Sequence, residues 1–393
     1  METKNLVITP EKTGVEHKKI NYQFKVLYAI GIIMVVAGHA NAETALFLNE
    51  VIHVCGFHMA LFVFASGYFY NKSKDDRPFQ YIWGKVKRLL IPYFLWNVFY
   101  GLLVYVLSKF GFKYGLPLTW QKFFYIPFVD GPAFPFNLSA WFVIPLFVTE
   151  VYNVTIRKLL SRFDSSLKEI LLLIFNCLLG VTGVFLANKG YNGFGWLFLT
   201  RFLYFACFYS FGYIYKIYLE KKDTFSSFWY FTSIIMIELL LILIYGHSPT
   251  YSIVGMFNFD NPIVSIFAGI LGIAFWLRVS RILSPVIGKS KYLNAVADNT
   301  FSIMINHELG FFILKLMFYF AAVLLPFFPE FPDEKLFVEY EYLYLPRGRG
   351  FPVLYVFVGI AFAVLLQKAV DFSVKAVKNK IQNRCAAKGS SSL

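Results

Sequence analysis

Two histidines in apolar surroundings are the first residues of this sequence with chemistry to offer. His39 follows Lys25 by 14 residues, in a run with no Asp, Glu, Lys or Arg before Glu43. A helix rises 1.5 Å per residue, so His39 lies about 21 Å beyond Lys25. His58 is eight residues into the next apolar run, about 12 Å from its start. A short hairpin, Phe47 to Glu50, is expected to hold the two runs antiparallel, which brings both imidazoles to one depth in the outer half of a membrane. Imidazole gains and loses a proton near neutral pH. Two at one depth suit a general base and a partner that positions an oxygen. The plainer alternative is two buried histidines, each bonded to a backbone carbonyl; for a pair, the functional reading is preferred. His53, five residues from His58, points to another side of the helix, and Glu43 shares the face of His39 at i+4.

Other polar groups interrupt apolar runs. An ionisable side chain in lipid is costly and marks a pathway or a site. Glu150 falls about 14 Å into its run, near the midplane. Asn299, Ser302 and Asn306 share one helical face, a polar stripe that reaches His307 and Glu308. Interhelical hydrogen bonds account for Asn and Ser, but not readily for the His-Glu pair. Lys85, Lys87 and Arg88 form a basic cluster. Arg201 and Lys109 fall near outer helix ends, where snorkelling is the ordinary account. A polar path is therefore expected from Lys85, Lys87, Arg88 and Asn299, past Glu150 and His307, to His39 and His58.

The elements that must position these groups are membrane helices. Hydrophobic residues make up 58% of the 393 and charged residues 15%, with a mean hydropathy of +0.58. A soluble domain carries about a quarter charged residues. The apolar runs reach about 20 residues, enough for a hydrocarbon layer of about 30 Å. The expected fold is all-α, a polytopic membrane protein of about ten spans: 26–46, 51–70, 89–109, 140–156, 168–187, 197–215, 227–246, 262–279, 300–323 and 351–369. Residues 1–25 are then a cytoplasmic segment, 26–369 the membrane domain and 370–393 a basic cytoplasmic tail. Every second crossing ends in a basic segment, as the positive-inside rule requires with both termini cytoplasmic. The same spacing excludes nucleic acid as the partner of the +14 net charge. The first run reads as a retained span, not a cleaved signal. Cys55, Cys177, Cys207 and Cys385 have neither metal-site nor disulfide spacing. Two long outer loops, 110–139 and 324–350, are rich in aromatics, suited to stack on sugar rings or to lie at the interface.

Several segments together resemble the acyltransferase-3 family. Gly31 to Ala40 looks like its first-span signature. Phe57-His58-Met59 through Ser66-Gly67-Tyr68 resembles the second, in the form of the fucose 4-O-acetylase-like branch. Lys87-Arg88-Leu89-Leu90-Ile91-Pro92-Tyr93 with Trp96 resembles the third, Ala140 to Phe147 a fourth, and Asn299 through His307 a late one. They occur in the expected order over most of the chain. One departure stands before His39, where the usual acid aligns with Lys25 and the usual base with Tyr28.

The resemblance implies transfer of an acyl group, acetyl above all, from cytoplasmic acyl-coenzyme A to a hydroxyl of a cell-surface polysaccharide or its lipid-linked precursor, at a bacterial plasma membrane. It carries the family's histidines over to His39 and His58, and its basic patch to Lys87 and Arg88. On this reading His39, His58 and Glu150 are catalytic, and Lys85, Lys87, Arg88, Asn299, Ser302 and His307 bind the donor. No metal and no permanently bound cofactor is expected. The expected partners are membrane lipid, acyl-coenzyme A and the glycan. The competing readings are a glycan or lipid transporter using the same polar path, and an inactive assembly partner of a polysaccharide synthase.

Overall fold

The computed structural model describes residues 20–46, 48–163, 166–345 and 351–390. Phe47 of the expected hairpin lies outside them. The described chain is helical, with one isolated β-bridge between Ser252 and Phe257. In order the helices are α1 (Tyr22–His39), α2 (His58–Tyr68), α3 (Pro78–Lys85), α4 (Ile91–Ser108), α5 (Trp120–Phe124), α6 (Ile126–Val129), α7 (Val143–Leu159) and α8 (Ser166–Asn188). There follow α9 (Trp196–Ile214), α10 (Ser227–Tyr245), α11 (Pro262–Ile287), α12 (Lys291–Asp298), α13 (Thr300–Leu324), α14 (Asp333–Val338) and α15 (Phe351–Ser390). Among the described residues nine helical stretches are long and apolar enough to cross a membrane, and the shorter apolar stretch Val54–Tyr68 makes ten. All ten expected spans thus have a helix. The chain is an all-α, multi-pass membrane protein.

The first crossing departs from expectation in a way that matters for the site. The apolar run to residue 46 predicts one continuous helix, but α1 ends at His39. Asn41 takes a positive φ of 52°, Glu43–Ala45 forms a separate 3-10 turn, and α2 starts only at His58. Ala40 and Ala42 are buried although they are not in the helix; hydropathy reports burial, not backbone. Both histidines therefore sit at helix ends, beside irregular chain, where cavities can form.

α1 is the axis of the bundle. Asn21 caps its start, its side chain accepting from the Phe24 N–H at 3.2 Å. The helix contacts α2, α11, α12, α13 and α15. α2 lies against α9 at unusually close range. A Cβ on Gly67 would stand 1.9 Å from the Tyr209 carbonyl oxygen, and one on Gly212 would stand 1.9 Å from that of Phe64. Only glycine permits that approach, and lipid-embedded helices gain contact through such small residues. α10 touches α11 but leaves most of its apolar surface uncovered by the rest of the described chain.

The two long outer loops pack on each other. The Lys113 N–H donates to the Phe337 carbonyl at 2.8 Å, and the Tyr114 hydroxyl to that of Leu336. Phe136 and Phe312 meet at 5.0 Å between ring centres, with Tyr114 and Tyr340 at the rim of the cluster. Their aromatic residues thus build a cap. Arg201, expected to snorkel, is instead buried. Its guanidinium donates to the carbonyls of Asp130 and Val254, tying two outer loops together over the Trp141 ring.

Candidate active site

Three elements meet at His39. α1 delivers the imidazole at its last residue. The 3-10 turn Leu138–Phe142, which leads into α7, delivers Ser139. α13 delivers His307 and Glu308 from its third turn. The His39 Nε2 is 3.1 Å from the Ser139 hydroxyl, and that hydroxyl is 2.6 Å from Glu308 Oε1. A carboxylate only accepts, so the single Ser139 proton goes to Glu308. The serine oxygen is then left to accept from the His39 Nε2–H. This fixes the neutral tautomer of His39, with the lone pair on Nδ1. The same Nδ1 is 3.8 Å from Glu308 Oε1, so a proton taken there forms an imidazolium next to a carboxylate. The chain Glu308–Ser139–His39 orients a base in the way a carboxylate orients the histidine of a hydrolytic triad, with a hydroxyl interposed.

His307, expected midway along the polar path as a donor-binding residue, lies in this group beside His39. Its ring centre is 5.1 Å from that of His39, and the residue is wholly buried. Its Nδ1 lies 2.7 Å from the Ile303 carbonyl; a carbonyl only accepts, so this nitrogen carries the proton. The Nε2 is therefore a buried lone pair with no partner among the described residues, as is Glu308 Oε2. His58 is held the same way, with Nδ1 2.7 Å from the Val54 carbonyl. Its Nε2 is thus an acceptor when the ring is neutral. That suits taking a proton better than stabilising an oxyanion, for which the ring must be charged.

Two cavities adjoin His39. One, of about 390 Å³, is lined by Asn41, Phe136, Glu308, Phe311, Tyr340 and Glu341 besides Gly38, His39, Leu138 and Leu343. The other, of about 480 Å³, is lined by His58, Glu43 and Ser139 among largely apolar neighbours such as Met34, Val54, Met59 and Trp141. Gly38, His39, Leu138 and Glu341 belong to both walls. His39 and His58 therefore share a chamber, although the polar partner of His39 is Ser139. One ligand atom each from His39, His307 and Glu308 lies within 4.8 Å of the others. Zinc bonds of about 2.1 Å place tetrahedral ligands about 3.4 Å apart. The three side chains would have to draw in to hold an ion, whereas they serve proton transfer as they stand.

Glu150 does not come to His39. It is buried on α7 and saturated by hydroxyl and ammonium donors: Lys85 to Oε1, Tyr81 and Tyr209 to Oε2. Its partners come from α3 and α9, away from His39. Lys85 and Arg88 line a cavity of about 620 Å³ with Lys74, Asp76, Arg77, Gln80 and Tyr81. Lys87 lies instead over the Trp83 ring at 5.3 Å. A π-helical segment, Val86–Leu90, joins α3 to α4 at this point, a distortion common at functional positions. Asn299 donates to the Ala295 carbonyl at 2.7 Å. Ser302 donates to the Ala363 carbonyl at 3.0 Å and accepts from Asn306, whose oxygen takes the Tyr100 hydroxyl. Ser302 and Asn306 stitch α13 to α15 and α4, while the Asn299 bond stays local to α12; none of the three is on the walls of the basic cavity.

Sequence reasoning passed over Ser139 and Lys315. Nothing distinguishes one serine among many, but Lys315 was visible as a cation inside an apolar run. It is buried on α13, seven residues beyond Glu308 on the same face, and donates to the Tyr340 carbonyl of the outer cap. The Tyr340 hydroxyl in turn donates to Glu341 at 2.6 Å. Burial and that bond push the Tyr340 phenol up, so it stays a donor.

Neither the curated proteins nor the solved structures offer a match to the chain. Over residues 21–367, which include every residue of the site just described, the chain matches the acyltransferase-3 family, described as an acyltransferase domain, and it belongs to that family.

Proposed function

We propose that this acyltransferase moves an acyl group, acetyl above all, from cytoplasmic acyl-coenzyme A to a hydroxyl of a cell-surface polysaccharide or its lipid-linked precursor. We place it in the fucose 4-O-acetylase-like branch and in a bacterial plasma membrane. The observation that carries this reading is the Glu308–Ser139–His39 chain at the wall between two chambers. A sugar hydroxyl is a poor nucleophile, and a positioned imidazole raises its reactivity by taking the proton as the oxygen attacks. His39 Nδ1 accepts that proton. The sugar oxygen bonds to the thioester carbonyl carbon, the carbon–sulfur bond breaks, and the proton passes from Nδ1 to the departing thiolate. Glu308 stabilises the imidazolium between the two transfers. The phosphates of the donor need cations, and the cavity bearing Lys74, Arg77, Lys85 and Arg88 supplies them.

The test is glycan acyl content, measured by mass spectrometry in cells carrying the intact chain or its His39→Ala form at equal protein level. Acylation with the intact chain and a loss of at least about 100-fold with His39→Ala is the expected result. Acylation that persists unchanged in His39→Ala, or is missing with both chains, overturns the reading. The transporter alternative would then be tested by solute movement.

A further inference from the structure

The two chambers beside His39 differ in kind. The larger is walled mainly by apolar side chains, with His58, Glu43, Cys55 and Tyr251 as its ionisable groups besides the shared His39 and Glu341. The smaller is walled by two carboxylates, Glu308 and Glu341, by the amide of Asn41, and by the ring of Tyr340. The Glu308 Oε2 is buried with no partner among the described residues. The nearby cation, Lys315, is 1% exposed, is absent from the chamber wall and spends its ammonium on a backbone carbonyl. The chamber therefore offers acceptor oxygens and an aromatic face, with negative charge and no facing lysine or arginine among its lining residues. A hydroxylated ring presents donors to such oxygens and a C–H face to such an aromatic. A carboxylate or phosphate on that ring would meet like charge, from Glu341 at the exposed side of the chamber and from the half-buried Glu308 deeper in it.

We infer that the smaller chamber is the acceptor subsite and that it selects an uncharged or cationic sugar, with Tyr340 and Glu341 as the specificity pair. This rests on the acyl-transfer reading above. Glu341 is a specificity residue rather than part of the proton chain: it meets the ring of the sugar, while His39 meets the reacting hydroxyl. The larger, apolar chamber on the other side of His39 is left for the acyl group.

The experiment uses the purified full-length chain in detergent with acetyl-coenzyme A and three soluble acceptors: a neutral methyl hexoside, a methyl amino-hexoside and a methyl hexuronide. Acyl transfer and release of the coenzyme thiol are both followed. The expected result is transfer to the first two at least tenfold above the hexuronide. In Glu341→Gln that ratio should fall below threefold, and in Glu341→Lys it should invert. The ratio is read within each variant, so a change in overall rate does not blur it. Where a glycoside binds without being acylated, its effect on thiol release reads the same selectivity. Equal use of the hexuronide, or no response to any glycoside, overturns the acceptor assignment. The panel on the unaltered chain decides this even if the variants do not fold. Failure of the underlying reading looks different: glycan acylation in cells would then be unchanged in His39→Ala or missing with both chains.

Discussion

Two glutamates among the apolar runs, Glu150, which is buried, and Glu308, which is half-buried with one oxygen enclosed, are treated differently by the structure. Both oxygens of Glu150 are taken, by Lys85 on one side and by Tyr81 and Tyr209 on the other. Glu308 has one oxygen held by Ser139 and one with no partner among the described residues. A saturated buried network specifies which helices meet, here α3, α7 and α9. An unsatisfied buried acceptor costs about 1–3 kcal/mol, and such a cost is tolerated where an incoming group uses it. The comparison assigns structure to the inner glutamate and chemistry to the outer one, although the sequence alone presents both as carboxylates in apolar runs.

The largest expected effect breaks this comparison most directly. Glu308→Gln keeps an oxygen for Ser139 but loses the charge beside His39. Its transfer rate should fall by about 100-fold, within the range attributed to a positioned base, while thermal stability in detergent shifts by less than about 1 kcal/mol. Glu150→Gln should do the reverse. It loses the ion pair with Lys85, so stability should fall by about 1–3 kcal/mol, while the transfer rate per folded molecule changes by less than about threefold. Unfolding by intrinsic fluorescence and transfer by coenzyme-thiol release are measured on the same preparations. If both variants lose activity alike and stability alike, the division between the two glutamates is wrong.

What could be read beforehand follows the same division. The ten crossings were legible because apolar runs and alternating basic segments are local properties. His39 and His58 were legible because imidazole is rare in lipid and both fall at one depth. The end of α1 was not, since Ala40 and Ala42 are apolar and buried whether or not the backbone around them is helical. Nor was the partner of Glu150. Depth follows from residue counting, but whether α7 turns that face towards Lys85 or towards His39 is decided by packing over the whole bundle. Ser139 acquires its role only because three elements converge on it. Lys315 is the reverse case: its charge within an apolar run was in plain view, and only its target, a carbonyl in the cap, required the fold.

A middle-sized effect tests the link between the outer site and its cap. Lys315→Met keeps the length of the side chain and removes its donor to the Tyr340 carbonyl. The segment 336–345 should exchange its amide hydrogens faster by about tenfold, as local opening becomes easier. The KM for the acceptor should rise about three- to tenfold through loss of preorganisation, with kcat within about twofold. Unchanged exchange would mean that the aromatic cluster alone holds the cap, and Lys315 would then be a buried cation with no positioning role.

The smallest effect sharpens the inner side of the comparison. Ser302 was expected at the donor site, yet its hydroxyl bridges Asn306 to the Ala363 carbonyl. Hydrogen bonds between membrane helices average about 0.6 kcal/mol by double-mutant cycles. Ser302→Ala should therefore cost about that much stability and leave the donor KM within about twofold. Arg88, which faces the basic cavity, supplies the contrast: Arg88→Ala should raise the donor KM about tenfold or more, the loss expected for a charge-assisted bond to phosphate. If Ser302→Ala raises the donor KM as far as Arg88→Ala does, the donor reaches up the α13 stripe. The inner polar groups would then serve binding, and the contrast between a structural inner network and a chemical outer one would have to be redrawn around Glu150 alone.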